Sequence, residues 1–478
     1  MNRTLMGLET EYAITPYDKY GTPLDRMLYS TLLVTAASEL YPSLFGRDHR
    51  DVFLLNGSRL YVDHGANLLN LEYSTPECTN PEELIAHLRA GDQMLAGLAR
   101  DLESREPELH QLFISKTNFD YCGHTSGSHE NYLHTATQAR LAPQIIPHLV
   151  SRPIYSGGGG FNADASHIEF MLSPRVYFLE HLMSGGSQHN RAIFTTKQEP
   201  LSNSPYGRLH LLCGEGVRFE LTEYLRFGVT ALILRLVDAG FSPAHGIELD
   251  PLAAINTVAR DIHCREFIGS INGIPANAID VQRHYLQQVR AQLGRPFMPD
   301  FGATVCDRWE SVLNGLESDA MQFAGILDWP TKLGLYRSFV EKNGHDWECL
   351  TREDNEPQPE IRARLFEFDI RFGDIADKKL FATFENDNRA AARLVDEDAI
   401  ADAIRIPPQG SRAKMRGEWI ERLSQKRQGK ECAWDRIQDN KAKKSIVFDD
   451  PLDLSEVAWV KDTTRYRSSS RRALFLDD

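Results

Sequence analysis

Several segments of this chain carry chemically capable side chains at every second residue, the spacing that puts them on one face of a strand. In Asn56-Gly57-Ser58-Arg59-Leu60-Tyr61-Val62-Asp63-His64-Gly65, Arg59, Tyr61 and Asp63 share one face, and Leu60 and Val62 share the other. Between Leu5 and Ile14, Glu9 and Glu11 oppose Met6, Leu8, Tyr12 and Ile14. Between Leu68 and Ser74, Asn70, Glu72 and Ser74 oppose Leu69, Leu71 and Tyr73, and Glu77 follows just past Pro76. Carboxylates two residues apart on a strand lie roughly 7 Å from each other. Like charges that close are costly unless water or a cation lies between them. A solvated strand face accounts for each segment taken alone. Side by side, the three would wall a cleft with carboxylate oxygens, the surroundings that magnesium favours.

Positive charge follows later. Arg208 and His210 share a strand face, with Arg191 and Lys197 upstream; phosphate binding and plain solvation both fit them. Cys122, His124 and His129 match no zinc spacing, so hydrogen-bonded structural roles are expected there. Gly157 to Gly160 is not a phosphate loop, because no Gly-Lys-Ser/Thr follows, and it reads as a surface loop.

The elements that must position these residues are mixed. A helical stretch near Leu28 to Leu40 separates the first two acidic strands. Asn80-Pro81-Glu82-Glu83 opens a helix, with Asn80 as cap and Glu83 reaching back, and Leu84, Leu88, Leu95 and Leu98 form its core stripe. Gln111 to Asn118 and the segment around His129 to Leu133 read as strands, and Phe219 to Ala239 as a long helix stopped by Gly240. Residues 251–400 read as mostly helical, with no evident chemistry. Pro407-Pro408-Gln409-Gly410 reads as a linker, dividing the chain into a catalytic unit, 1–406, and a small C-terminal unit, 409–478, that holds Arg416 and Trp434. The tail after Trp459, rich in Arg and Ser, is expected to be disordered.

The totals exclude several classes. The 478 residues carry a net charge of −14, which argues against general nucleic-acid binding. The seven cysteines are scattered without a CxxC pair, as in a reducing cytoplasm. The most apolar run, Val229 to Val237, is too short for a membrane span and is broken by Arg235. A soluble cytoplasmic protein, binding neither membrane nor nucleic acid, is expected.

Taken in order, Gly7-Leu8-Glu9-Thr10-Glu11-Tyr12, the Asn56 to Asp63 stretch, Glu72-Tyr73-Ser74-Thr75-Pro76-Glu77-Cys78, Gly127-Ser128-His129-Glu130-Asn131-Tyr132-Leu133, Arg208-Leu209-His210 and Arg412-Ala413-Lys414-Met415-Arg416-Gly417-Glu418 resemble the Pup ligase family. That family joins the small protein Pup to lysines; its other branch deamidates or removes Pup. The resemblance implies an α+β, glutamine-synthetase-like fold, a curved antiparallel sheet cradling ATP and Mg2+ beside a small C-terminal domain. By position it implies Glu9, Tyr61 and Glu72 as magnesium-site residues, Arg59, Thr75 and Trp434 as ATP contacts, and Asp63 as the catalytic base. Arg208 and His210 join the nucleotide-binding set.

The implied reaction is ATP-dependent isopeptide formation between a Pup-like modifier's C-terminal glutamate side chain and protein lysines, through an acyl phosphate. The hydrolase branch typically carries a long insertion between the first two motifs. The short connection from Ile14 to Asn56 favours the ligase. Two departures from the family pattern, Gly65 to Leu71 in place of a short His-Pro connection and Thr196-Lys197-Gln198-Glu199-Pro200-Leu201 in place of Thr-Arg-Asp-Glu-Pro-His, leave another carboxylate substrate open.

Overall fold

The strand that carries Glu9 and Glu11 lies near the middle of a ten-stranded sheet. The structure is a computed structural model, and it describes residues 4–461 apart from 48, 65–68, 123–124, 186–190, 197–200, 202–205, 356 and 377–392. The Gly65 to Leu68 connection, His124, Lys197 to Pro200 and the tail from 462 therefore lie outside the described residues. The strands in chain order are β1 Met6–Tyr17, β2 Ser43–Phe45, β3 Asp51–Leu54, β4 Arg59–His64, β5 Leu69–Ser74, β6 Gln111–Ser115, β7 Ser128–His134, β8 Gly160–Phe161, β9 Phe170–Met171, β10 His181–Ser184, β11 Ala192–Thr195 and β12 Gly207–Leu211. The main sheet runs β10-β11-β12-β7-β1-β5-β4-β3-β2, and β6 also pairs with β1. Its pairs are antiparallel except β10 with β11.

The period-two reading of β1 holds along its whole length: buried and half-buried residues alternate from Met6 to Tyr17. Its buried face is apolar. Met6 and Leu8 join a large helical core, and Tyr12 and Ile14 join a second one with the Arg26–Leu40 and Pro81–Arg105 helices. Asn80 caps the latter helix, accepting from Glu83 N at 2.8 Å. Glu83 reaches back one residue further than a capping box requires, accepting from the Thr79 amide at 2.7 Å. Leu84, Leu88, Leu95 and Leu98 are all buried. The Glu220–Asp238 helix is buried almost end to end, and Gly240 stops it in the left-handed region at φ +102.

One expectation needs correcting. Gly157 to Gly160 is buried, not a surface loop. A Cβ on Gly157 would lie 2.2 Å from the Leu172 carbonyl oxygen, and one on Gly158 2.5 Å from Asn118 Nδ2. Glycine there serves close backbone packing, not mobility. Residues 251–400 are mostly helical among the described residues, as expected, with a hairpin of Phe267–Ile271 and Ile274–Asn277 between the helices.

The chain ends in the Ala413–Leu423 helix and a four-stranded sheet of Lys430–Cys432, Arg436–Asp439, Lys444–Val447 and Val460–Lys461. Met415, Ile420, Cys432, Ile437, Ile446 and Phe448 share one apolar cluster with Leu44 of β2 and Phe53 of β3. This packing places Trp434 against the end of the main sheet, with its ring edge-on to Phe53 at 5.2 Å between centroids.

Candidate active site

Strand register turns the separate motifs into two rows on one face. Asp51, Tyr61, Glu72 and Glu11 lie directly opposite one another across β3, β4, β5 and β1. One step along, Phe53, Arg59, Ser74, Glu9 and His129 form the second row, which extends to β7. Asn131 pairs with Gly7 on one side and His210 on the other. Directly opposed residues in antiparallel strands bring their side chains together, so the register itself gathers the carboxylates.

The gathering produces two groups of possible cation ligands among the described residues. In one, Glu11, Asp63 and Glu72 offer oxygens that all lie within 4.8 Å of one another; in the other, Glu9, His129 and His210 do the same with mixed donors. Tyr61 donates its phenol proton to Glu72 Oε1. Glu11 accepts from the Gly127 amide at 2.6 Å and from Asn70 Nδ2 at 3.4 Å. A side chain at Gly127 would run into His129 Nε2 at 2.6 Å, so glycine keeps that approach open. Glu9 meets Asn131 Nδ2 at 3.2 Å, Arg208 Nη1 at 3.6 Å and His210 Nε2 at 3.4 Å.

Electrostatics separate the two groups. Burial and then the charges of Glu9 and Glu11 push the Glu72 carboxyl well above its usual range, and burial and Glu72 do the same to the Tyr61 phenol. Burial also raises Glu9, but His210 and Arg208 overcome it and hold that carboxyl at about 2. Burial drives His129 down to about 4, so its imidazole is neutral at pH 7. His210 Nε2 is buried without an aligned hydrogen-bond partner, although Glu9 Oε2 lies near. A crowded carboxylate trio with Glu72 buried, and an orphaned imidazole nitrogen, are both what a cation would relieve. Three carboxylates suit the hard Mg2+ ion.

Beside these groups, at the start of β1, lies a cavity of about 120 Å3 lined by Glu9, Thr75, Glu77, Arg208, Arg412 and Trp434, among others. The Thr75 hydroxyl accepts from the Leu8 amide at 3.0 Å. Of the residues assigned to nucleotide binding, Thr75, Trp434 and Arg208 thus share one cavity. Arg59 does not line it. Its guanidinium pairs with Asp51 at 2.7 Å and lies 4.1 Å above the centre of the Tyr61 ring. His210 belongs to the Glu9 group. The metal assignments divide too: Glu72 sits with Glu11 and Asp63, Glu9 sits with the two histidines, and Tyr61 touches Glu72.

Sequence reading left Glu11, His129 and Asn131 out of the site. Glu11 carried the strand signal but no role. His129 was set aside because its neighbours lack metal-ligand spacing, whereas its ligand-like partner Glu9 comes from the β1–β7 register. Period two along β7, Ser128 to His134, could have put His129 and Asn131 on one face but not beside Glu9.

Comparison with known proteins covers nearly the same residues. The family model described as "Pup-ligase protein" matches residues 4–438. The chain belongs to the Pup-ligase family. Its relatives include the Pup–protein ligase of Arthrobacter sp. (strain FB24), 30% identical over 472 residues, covering 95% of this chain and 97% of the relative. The Pup–protein ligase of Kineococcus radiotolerans is 29% identical over 461 residues, again covering 95% and 97%. The ligase PafA, solved in complex with the prokaryotic ubiquitin-like protein Pup, superposes with a TM-score of 0.79 at 26% identity, covering 95% of this chain and 90% of that one. PafA solved with ADP gives 0.73 at 24% identity, covering 92% and 93%, and speaks to the fold alone. The expected α+β Pup-ligase fold, a large antiparallel sheet with a separate small C-terminal sheet, is therefore the observed one. Among the described residues, no helix is long and apolar enough to cross a membrane.

Proposed function

We propose that this chain is an ATP-dependent carboxylate–amine ligase that joins the C-terminal glutamate side chain of Pup to lysines of target proteins. The observation that carries this reading is the pair of rows on one sheet face, which gather Glu9, Glu11 and Glu72 with Asp63 close by, Glu9 also lining the Trp434 cavity, in a member of this family. Thr75, Trp434 and Arg208 hold the nucleotide, and Arg59, fixed by Asp51, braces Tyr61 and the acidic row. Glu11 and Glu72 of the acidic trio would hold Mg2+, leaving the Asp63 carboxylate beside them to act as base, and Glu9 with His129 and His210 offers a second cation position. Bound magnesium supplies charge neutralisation on the polyphosphate and the developing acyl phosphate.

A free carboxylate resists amine attack, being negatively charged with a poor leaving group. Phosphorylation by ATP makes an acyl phosphate whose phosphate leaves readily. Lysine attacks only as the neutral amine, yet its ordinary pKa is about 10.4. Asp63, two residues beyond Tyr61 on β4 and opposite Asn70, lies past the acidic row on the side away from Thr75. There it accepts the amine's proton as the bond forms. Arg208 and Asn131 orient Glu9, with Arg208 Nη1 donating to Asn131 Oδ1 at 3.2 Å.

Hydroxylamine provides the test, because it intercepts an acyl phosphate as a hydroxamate. Pup ending in Glu, incubated with this protein, ATP, Mg2+ and hydroxylamine, yields Pup hydroxamate and one ADP per molecule trapped. ADP without hydroxamate would contradict an acyl-phosphate route. The cytoplasm is the compartment in which this reaction meets ATP. The hydrolase branch is the second reading, disfavoured by the short connection between β1 and β4, whose described residues hold the Arg26–Leu40 helix and two short strands.

A further inference from the structure

The segment Arg412-Ala413-Lys414-Met415-Arg416-Gly417-Glu418 contributes Arg412 to the cavity lining, yet its most buried cation, Arg416, contacts no reacting group. Arg412 and Arg416, one helical turn apart, converge on Glu77, with Arg412 Nε 2.8 Å from Oε1 and Arg416 Nη2 2.5 Å from Oε2. Arg416 is fully buried, and its remaining bonds go elsewhere. Nη2 donates to the Gly57 carbonyl at 2.8 Å, Nη1 donates to the Trp434 carbonyl at 2.9 Å, and the guanidinium lies 4.8 Å from the centre of the Trp434 ring. One side chain thus ties together the turn that starts β4, the residue two past Thr75, and the tryptophan of the cavity.

The rest of the motif permits that reach. A Cβ on Gly417 would stand 2.5 Å from the Leu55 carbonyl oxygen, so glycine lets the helix press onto the turn before β4. Gly57 holds φ +85, and a Cβ there would lie 3.2 Å from the Ala413 methyl, so a small residue is needed on the helix side as well. The Ser411 hydroxyl donates to the Glu77 carbonyl at 2.6 Å. The contacts fix helix, turn and strand end to one another at the cavity wall.

We infer that Arg416 is a positioning residue for the nucleotide cavity: by holding Gly57, Glu77 and Trp434 in one arrangement, it sets nucleotide affinity without touching the reacting atoms. The inference rests on the proposed nucleotide role of Trp434 and Thr75. Lysine cannot replace it, because one ammonium on a flexible stem lacks the planar fork that reaches three acceptors.

Two comparisons separate positioning from simple support. Arg416→Lys keeps a positive charge facing Glu77. The pair Glu77→Gln and Glu77→Gln/Arg416→Met removes the ion pair from both members, so that they differ in what Arg416 itself supplies: its bonds to Gly57 and Trp434, its contact with the Trp434 ring, a hydrogen bond to the amide oxygen that Glu77→Gln leaves, and its buried charge. ADP affinity with Mg2+ is read by calorimetry, KM and kcat for ATP by hydroxamate formation, and the thermal midpoint by circular dichroism. Losing charge-assisted hydrogen bonds predicts affinity and KM weakened about tenfold or more in Arg416→Lys, and again between the single and the double variant of the pair. The kcat at saturating ATP stays within about threefold within that pair, because Glu11, Asp63 and Glu72 are untouched. Affinity that tracks the thermal midpoint, or kcat that falls with KM unchanged, would overturn the inference. Wild-type protein that binds no ADP would remove the underlying nucleotide assignment instead; wild-type binding with unaltered variants removes only the role of Arg416.

Discussion

Asp63 and Glu72 sit two residues apart in register, yet the roles proposed for them differ. Glu72 is buried, crowded by Glu9 and Glu11, and held by Tyr61, a setting for a cation ligand. Asp63 is half-buried and lies past the row, opposite Asn70, and is the proposed base. Asp63→Asn keeps the shape, so ligation should fall by about 10²–10⁴-fold, the usual loss of a general base. ATP affinity should change far less, as calorimetry would show. Glu11→Gln should resemble Glu72→Gln in weakening the magnesium dependence of ATP binding, because both remove charge from one trio. A Glu11 variant with wild-type magnesium dependence would remove it from that site. Tyr61, a magnesium-site residue by position, touches the trio only through Glu72, so Tyr61→Phe should alter magnesium affinity less than either change.

Elements explain why some of this was legible and some was not. Period two alone assigned the faces of β1, β4 and β5, because each strand has one apolar side that must be buried. It could not assign neighbours across strands, and so His129 and Asn131 were missed. Capping chemistry gave the Pro81–Arg105 helix its start, and apolar spacing its buried stripe. The glycines misled for a physical reason: a run of four looks mobile when the backbone pressing on it is unseen. Gly157→Ala tests that packing. With a carbonyl oxygen 2.2 Å from the new methyl, the backbone must shift, at a cost of about 1–3 kcal/mol. The thermal midpoint should fall by several degrees, whereas Gly185→Ala, with none of the described residues within 4 Å of the new methyl, should leave it nearly unchanged.

At the scale of the whole molecule, Glu77 joins the small C-terminal sheet and helix to the main sheet. Burial raises its carboxyl, but Arg416 and Arg412 prevail and lower it to about 2 from the ordinary 4.5. A depressed carboxylate stabilises the fold fully above about pH 4.5 and progressively less as pH falls toward 2. Denaturant titrations at pH 6 and pH 3.5 should therefore converge for wild type and Glu77→Gln as the medium acidifies. The gap at pH 6 is on the order of 1–3 kcal/mol. A gap that widens in acid would place the link elsewhere. With the C-terminal part docked, Trp434 and Thr75 share a cavity that Glu9 of the second row also lines, and the direction of the chemistry there is the central matter. Intact-mass spectrometry of two incubations with ATP and Mg2+ tests it most directly. Pup ending in Glu, mixed with a lysine-bearing target, should give a target heavier by one Pup less one water, with one ADP released per bond, while Pup ending in Gln stays unchanged. Conversion of the Gln form to the Glu form, without conjugation of the Glu form, would contradict ligation and make this protein a hydrolase of the same family.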